Sequence, residues 1–275
     1  MRRSLITLTA VAAIAAAATP TLFAKSAPAN TALAAAVASS HRSETNKARD
    51  VYRAPAATLA FFGVKPNHKV VEIWPGGGWY TEILAPYLKD KGQLTVVAPT
   101  GTGTERITKF LDANPAVYGK VVKANYPVLL GGTGVAPGSV DVVMTFRNVH
   151  NWRMGSFHPK NEDYSVAAFK ELHAMLKPGG VLGIEDHRLP EGQDAERERK
   201  SGYMKVSTVR RLAEQAGFKY VGSSEVNANP KDTKDYPKGV WTLPPRFAEG
   251  DVDRAKYAAI GESDRMTLKF VTRGK

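Results

Sequence analysis

Short apolar runs alternate with amphipathic segments along most of the chain, and this alternation constrains the fold more than any other feature. The apolar runs are rich in β-branched residues, which is typical of strands buried on both faces. Predicted strands lie at residues 69–74, 93–98, 121–122, 140–146, 181–185, 218–221 and 267–272. The pattern predicts an α/β domain with a seven-stranded, mostly parallel sheet and helices on both faces.

The segments between the strands have the 3.6-residue period of helices. Predicted helices lie at residues 46–62, 81–89, 104–113, 164–176 and 207–216. Gly217 follows the last of these helices, as a glycine C-cap does. Ligands of such sheets bind beyond the carboxyl ends of the strands, so the loops that follow the strands are where function is expected.

The N-terminal segment has the pattern of a cleaved export signal. Arg2 and Arg3 precede an apolar run of 14 residues, which is shorter than the ~20 residues of a membrane-spanning helix, and small residues end at Ala24. Arg2-Arg3 also resembles a twin-arginine signal. We expect residues 1–24 to be removed, residues 25–45 to form a flexible lead-in, and residues 46–275 to form an exported domain, periplasmic or secreted, without a membrane span.

The amino-acid composition excludes several kinds of catalytic and metal-binding site. The chain has no cysteine, which excludes thiol nucleophiles, zinc–thiolate sites and disulfides. Its charge is +12, or +10 once Arg2 and Arg3 are removed. Such a balance suits nucleic acid, an anionic membrane or acidic ligands. The basic residues at 197–211 lack interleaved aromatic residues, so a solvated face is favoured over a nucleic-acid surface.

A glycine-rich turn follows the first predicted strand, in the run Glu72-Ile73-Trp74-Pro75-Gly76-Gly77-Gly78. Glycines at this position allow a ligand to approach the backbone, although a tight turn without a ligand has the same sequence. The third glycine of a dinucleotide fingerprint is absent, because Thr81 occupies its place, and no acidic residue ends the second strand at 98–100. Nicotinamide binding is therefore disfavoured.

In order and spacing these signals resemble the class I S-adenosylmethionine-dependent methyltransferases, from about residue 55 to the C-terminus. The likeness rests on the glycine turn, the strand entry at 140–143, the turn at 176–182 and the corner at 211–218. The runs 71–80 and 260–268 extend it to a group of exported predicted methyltransferases. The resemblance implies a Rossmann-like methyltransferase fold and the cofactor S-adenosylmethionine. The cofactor-binding residues that it implies are Glu72, Trp74, Gly76, Gly78, Asn125 and Asn148.

Two positions depart from the family pattern. Trp74 replaces the first glycine of the turn, which makes the turn bulkier. The acidic residue that holds the ribose hydroxyls is missing from the end of the second strand, where Thr100 or a neighbouring backbone group is the available substitute.

The fourth strand leads into Phe146-Arg147-Asn148-Val149-His150-Asn151-Trp152, which resembles the His-Asp-Trp stretch of small-molecule O-methyltransferases. There the histidine is the general base, so the resemblance implies that role for His150. The alternative is that His150 caps the strand or lines the cofactor pocket. Asp186 and His187 follow the fifth strand and are further catalytic candidates, or else a structural pair. No spacing of His, Asp and Glu predicts a metal site.

The long polar segment at 223–262 is an insertion between the last two strands, and it is either a lid or a rigid cover. We expect methyl transfer from S-adenosylmethionine to a small-molecule acceptor, at oxygen, with no nucleic-acid partner. The rival hypothesis is a non-catalytic exported ligand-binding protein that reuses the fold. A nucleic-acid methyltransferase is the third hypothesis, and it rests on charge alone.

Overall fold

The computed structural model describes residues 31–273. The predicted export signal at 1–24 lies outside these residues. Within the described part of the chain, no helix is both long enough and apolar enough to span a bilayer.

A twisted sheet of seven strands forms the centre of the molecule, in the order β3-β2-β1-β4-β5-β8-β7. All neighbours are parallel except β8, which runs antiparallel to both β5 and β7. A two-residue strand, β6, pairs with β5 beside this path. The strands are β1 Lys69–Ile73, β2 Gln93–Ala98, β3 Val122–Asn125, β4 Val140–Phe146, β5 Leu176–Leu189, β6 Met204–Lys205, β7 Phe218–Ser224 and β8 Arg265–Thr272. The predicted sheet is confirmed.

Helices cover both faces of the sheet and bury one apolar cluster on each. Leu172 and Leu212 pack in the first cluster, and Leu59 and Ile83 pack in the second. The helices are α1 Thr31–Val37, α2 Glu44–Lys47, α3 Asp50–Arg53, α4 Pro55–Phe62, α5 Thr81–Leu88, α6 Thr102–Asp112, α7 Pro115–Tyr118, α8 Val149–Arg153, α9 Ser165–Met175, α10 Val206–Gln215 and α11 Arg254–Ile260. Because each face has an apolar stripe to bury, the two-layer cover follows directly from the strand pattern.

The helix predicted at 46–62 is wrong as one continuous element. The structure has three short helices there, and the last two are separated at Ala54, which has a left-handed φ of 35°. The proline ring of residue 55 disfavours the helical conformation for the residue before it, so the chain turns at this point.

The loose lead-in predicted at 25–45 is also corrected where the chain is described. Helix α1 buries Leu33 and Ala36 in the second apolar cluster. Arg42 is fully buried and donates to both carboxylate oxygens of Asp50, at 2.7 and 2.8 Å. A bidentate pair of this kind ties the segment to the domain.

The strand register brings the carboxyl ends of the central strands together at one edge. Ile73 of β1 is level with Val97 of β2 and with Thr145 of β4, and Phe146 of β4 is level with Glu185 of β5. The segment at 225–264, between β7 and β8, begins and ends at this same edge. Its buried apolar side chains form a third cluster with Leu189 and Tyr203, so the segment is packed against the domain. These side chains are Tyr236, Val240, Leu243 and Tyr257.

Candidate active site

The turn after β1 is held open by residues with left-handed backbone. Trp74 has φ 48°, Gly76 has φ 60° and Gly78 has φ 83°. A Cβ on Gly78 would lie 2.6 Å from the ring of Phe110, so this glycine permits close packing of α6. A Cβ on Gly76 would meet no atom within 4 Å, because Gly76 borders open cavity space. Gly78 therefore permits close packing, whereas Gly76 is the glycine that borders the cavity.

Glu72 lies beneath this turn and is almost completely buried. It accepts a hydrogen bond of 2.6 Å from the Thr81 hydroxyl at the start of α5. Burial raises the pKa of Glu72 to about 7, against the opposing effects of the Thr81 hydrogen bond and of Arg147. The carboxyl group thus joins the strand to the helix and is partly protonated near neutral pH.

Trp74 forms one wall of a cavity of about 410 Å³, here called the Trp74 cavity. Its indole N–H donates to the carbonyl of Tyr126 at 3.0 Å, and its ring meets Phe157 edge-on at 5.2 Å. The tryptophan that replaces a glycine in the sequence is therefore a fixed aromatic wall. The other lining residues are Gly76, Ala98, Pro99, Thr102, Gly103, Arg106, Asn148, Asn151, Ser156 and Phe157.

Two asparagines were expected at the cofactor site, and the structure places them differently. Asn148 lines the Trp74 cavity and donates to the carbonyl of Ile73 at 3.0 Å, so it connects the ends of β1 and β4. Asn125 ends β3, donates to Thr104 at 2.5 Å and is not among the residues that line this cavity. Thr102, rather than Thr100, contributes to the wall beyond β2.

A second cavity, of about 240 Å³, lies against the glycine turn and is here called the glycine-turn cavity. It shares Trp74, Gly76 and Asn148 with the Trp74 cavity, so the two are neighbours. Glu72 also lines it, as do Arg49, Arg53 and Arg147.

His150 is the second residue of α8, the short helix that follows β4, and it is buried. Its Nδ1 lies 2.8 Å from Oδ1 of Asp186, which is on β5, and its backbone N–H donates to Oδ2 of the same carboxylate at 3.1 Å. An ionised carboxylate only accepts, so the proton of the neutral ring is on Nδ1 and Nε2 is left as an acceptor. The structure therefore pairs two of the three residues that the sequence offered as catalytic candidates.

His187 is the third candidate, and its ring centroid lies 5.1 Å from that of His150. Its backbone N–H donates to Asp186 at 2.8 Å, and its Nδ1 contacts the Ser263 hydroxyl at 2.5 Å. Burial, followed by the nearby His150 ring and Arg265, lowers the pKa of His187 well below its usual value. The lowered pKa favours the neutral form of the His187 ring.

The three candidates also come closer than their spacing in the sequence indicated. One ligand-type atom of each of His150, Asp186 and His187 lies within 4.8 Å of the others, which is compatible with a metal centre. The Nδ1 of His150 already bonds Asp186, however, and the surrounding side chains are cationic. Positive neighbours disfavour a divalent cation at this position.

Both histidines line a third cavity, of about 340 Å³, here called the arginine cavity. One wall consists of Val240, Trp241, Leu243, Pro244 and Pro245, all from the segment at 225–264. Five arginines also line the cavity, namely Arg49, Arg53, Arg147, Arg246 and Arg265. The sequence predicts a lid or a rigid cover at 223–262, but it does not indicate that this segment borders a cluster of arginines.

The five arginines come from four separate parts of the chain, so no local pattern in the sequence groups them. Among them, Arg147 directly follows a predicted parallel strand. Glu262 joins three of the others, with Nε of Arg49 at 2.5 Å, Nε of Arg53 at 3.1 Å and a very short contact to Arg265. Although burial opposes it, Arg265 and Arg53 hold the pKa of Glu262 well below its usual range.

No protein-family model and no curated protein matches this chain. Solved structures match it in fold. An S-adenosylmethionine-dependent methyltransferase from Aquifex aeolicus superposes with a TM-score of 0.53 at 15% identity, over 82% of this chain and 92% of that one. The [4+2]-cyclase SpnF superposes with a TM-score of 0.56 at 14% identity, over 89% and 93% of the two chains. With its strand order and these neighbours, the chain has the Rossmann-like fold of the class I S-adenosylmethionine-dependent methyltransferases.

Proposed function

We propose that this protein transfers a methyl group from S-adenosylmethionine to a hydroxyl oxygen of a small molecule. The observation that carries the proposal is the 2.8 Å contact between Nδ1 of His150 and Asp186, at the carboxyl edge of the sheet. This edge is where a parallel α/β sheet binds its ligands. Asn151 lines both the Trp74 cavity and the arginine cavity, so the histidine lies beside the space in which a cofactor and an acceptor can meet.

The residues of the Trp74 cavity and the glycine-turn cavity fit the cofactor. The Trp74 cavity has the volume of a small-molecule site, and Gly76 adds no side-chain atoms to its wall. Trp74, Gly76 and Asn148 border both cavities and would hold the cofactor, with Thr102 and Ser156 as hydroxyl groups in the wall. When bound, S-adenosylmethionine supplies an electrophilic methyl carbon attached to sulfur.

The chain itself supplies the base. Asp186 holds the proton on Nδ1 of His150, so that Nε2 can accept the proton of an acceptor hydroxyl. Asn151, which stands where an aspartate is usual in the resembled sequences, donates to the carbonyl of Arg147 instead. The carboxylate that the sequence lacks beside His150 is thus provided from the next strand.

The rival function is ligand binding without methyl transfer. The residues that line the Trp74 cavity include no carboxylate to hold ribose hydroxyls, which removes a usual contact of the cofactor. One solved structure with this fold carries the name of a cyclase, so the fold is compatible with other activities. If the protein does not bind S-adenosylmethionine, both observations favour a ligand-binding protein.

Calorimetric titration of the purified protein with S-adenosylmethionine and S-adenosylhomocysteine tests the proposal. Gly76→Asn places a side chain in the open space while keeping a residue that tolerates left-handed backbone, so it is expected to weaken binding by about tenfold or more. Gly250→Asn is the matched control, because Gly250 also has positive φ and open surroundings but lines none of these cavities. Absence of binding to the wild-type protein would leave the binding-protein alternative.

We also propose that the protein is exported, by the general route or by the twin-arginine route. Support comes from the basic start at Arg2-Arg3, the apolar run and the small residues that end at Ala24. Sequencing the N-terminus of the protein recovered outside the cytoplasm is expected to show that residues 1–24 are missing. An intact Met1 in a cytoplasmic protein would contradict the proposal.

A further inference from the structure

The arginine cavity carries more positive charge than its carboxylates can balance. Five guanidinium groups line it, and the carboxylates that pair with them are Glu262 and Glu185. This leaves an excess of three positive charges, without counting any charge on the histidines. When Asp186, which bonds His150, is also counted, an excess of two remains. A cavity with such an imbalance of charge attracts an anion.

Several of these guanidinium groups also have unused donors. Nη1 of Arg53 and Nη1 of Arg147 are buried and have no hydrogen-bond acceptor among residues 31–273. Arg53 is 2% exposed, so ordinary solvent does not reach most of its side chain. Buried donors without an acceptor are rare in native proteins, and a bound oxyanion supplies the missing acceptors.

The pKa shifts of the same residues agree with a shortage of counter-charge. Burial, and then the positive charge of Arg147, lower the pKa of Arg53. Burial also lowers the pKa of Arg147, against the opposing effect of Glu185. Both shifts mean that the protonated forms would gain from a further negative charge nearby.

The apolar part of the lining sets the chemistry of the occupant. Trp241, Pro244 and Pro245 line a volume of about 340 Å³. A volume of this order fits a small molecule with an apolar body and one anionic end. The Trp241 ring meets the His150 ring edge-on at 6.1 Å, so the apolar wall reaches the proposed base.

We propose that the arginine cavity binds the oxyanion of a small molecule, a phosphate or a carboxylate group, and that this molecule is the acceptor held beside His150. Arginine is suited to both groups, because its planar fork donates two hydrogen bonds to either. The first half of the proposal, that the cavity binds an oxyanion, is independent of catalysis. The second half, the identity of the acceptor, rests on the proposed methyl transfer.

The anion site is separable from the cofactor site by its residues. Arg49, Arg53 and Arg147 border both the arginine cavity and the glycine-turn cavity. Arg246 and Arg265 line the arginine cavity and are absent from the lining of the glycine-turn cavity. Arg246 is exposed, and its guanidinium has no ion-pair partner in the described chain, so its replacement removes charge without breaking a buried contact.

The experiment uses calorimetric titration of the purified protein with inorganic phosphate and, separately, with benzoate, which represents an aromatic carboxylate. Arg246→Gln is expected to weaken binding of the preferred anion by about tenfold, because one charge-assisted contact is lost. Arg199→Gln is the matched control, since Arg199 is an exposed arginine that lines none of the three cavities. It is expected to bind the anion as the wild type does. The tighter of the two probes identifies which oxyanion the site prefers.

Three outcomes would overturn the proposal. They are no binding of either anion at millimolar concentration, equal binding by wild type and Arg246→Gln, and competition of the anion with S-adenosylhomocysteine for one site. Tight binding of Zn²⁺ that is lost in His187→Ala, without anion binding, would identify a metal centre instead. Anion binding by a protein that does not bind S-adenosylhomocysteine would uphold the anion site and reject methyl transfer, so the two failures are distinguishable.

Discussion

Nδ1 of His150 and Oδ1 of Asp186 lie 2.8 Å apart, although 35 residues separate them along the chain. The contact forms because β4 and β5 are adjacent and parallel, which places the residues that follow Phe146 beside those that follow Glu185. Asp186 is fully buried and also accepts from the backbone N–H groups of His150 and His187. A carboxylate fixed in this way sets both the tautomer and the orientation of the ring.

His150→Ala is expected to lower the rate of methyl transfer by about 10²- to 10⁴-fold, because the base for the acceptor hydroxyl is removed. The affinity for S-adenosylhomocysteine is expected to change little, since His150 lines the arginine cavity and is absent from the lining of the Trp74 cavity. Release of S-adenosylhomocysteine measures the rate, and calorimetry measures the affinity. His68→Ala, at the amino end of β1, is the control. Loss of cofactor binding in His150→Ala would place the residue in the cofactor pocket instead.

Asp186→Asn keeps the shape of the side chain that positions His150 but removes its negative charge. The amide can donate to Nδ1, so the ring no longer needs to keep its proton there. We expect kcat to fall by up to about 10⁴-fold with KM nearly unchanged, by analogy with other histidine–carboxylate pairs. The ¹⁵N chemical shifts of the His150 ring are expected to show protonated Nδ1 in the wild type and a mixture in the variant. Unchanged ring shifts would contradict this role of Asp186.

Glu72→Gln is expected to alter the pH dependence of stability. Burial raises the pKa of Glu72 from 4.5 to about 7, so the folded state holds a proton that the unfolded state has lost within this range. The free energy of unfolding of the wild type therefore falls, by about 3 kcal/mol relative to the variant, as the pH rises from 4.5 through 7. Urea unfolding at several pH values measures it, with the exposed Glu105→Gln as control. If the free energy of unfolding of wild type and of Glu72→Gln changed with pH in the same way, the raised pKa of Glu72 would be refuted.

Glu262→Gln is expected to destabilise the protein by about 3–5 kcal/mol, because three arginines lose a buried partner. The pKa of Glu262 is held below its usual value of 4.5, so its contribution is present above pH 4.5 and is lost as the pH falls further. Denaturant unfolding measures both effects. Glu44→Gln breaks the exposed pair with Lys47 and is expected to cost less than about 1 kcal/mol. Equal effects of the two substitutions would show that the buried network is not stabilising.

Strand positions were the part of the fold most open to prediction. β2 and β4 lie at the predicted residues, because each is a continuous apolar run bounded by polar or turn residues. β5 is longer than predicted and spans 14 residues, because it is extended at both ends. Its carboxyl end pairs with the start of β8 at Arg265 and then with β6. That extension carries Asp186 and His187, so a long-range pairing that no local pattern reports sets their position.

The α/β fold, the glycine turn and the likeness to methyltransferases could be predicted from the sequence, because they depend on local periodicity and on short runs of neighbouring residues. The folded structure was needed to show that His150 pairs with Asp186 and that Gly76, not Gly78, faces open space. It was also needed to show that five arginines from four separate parts of the chain line one cavity. The physical reason is that charge pairing and cavity shape depend on which strands are neighbours and on where the segment between β7 and β8 lies, and neither is encoded in local spacing.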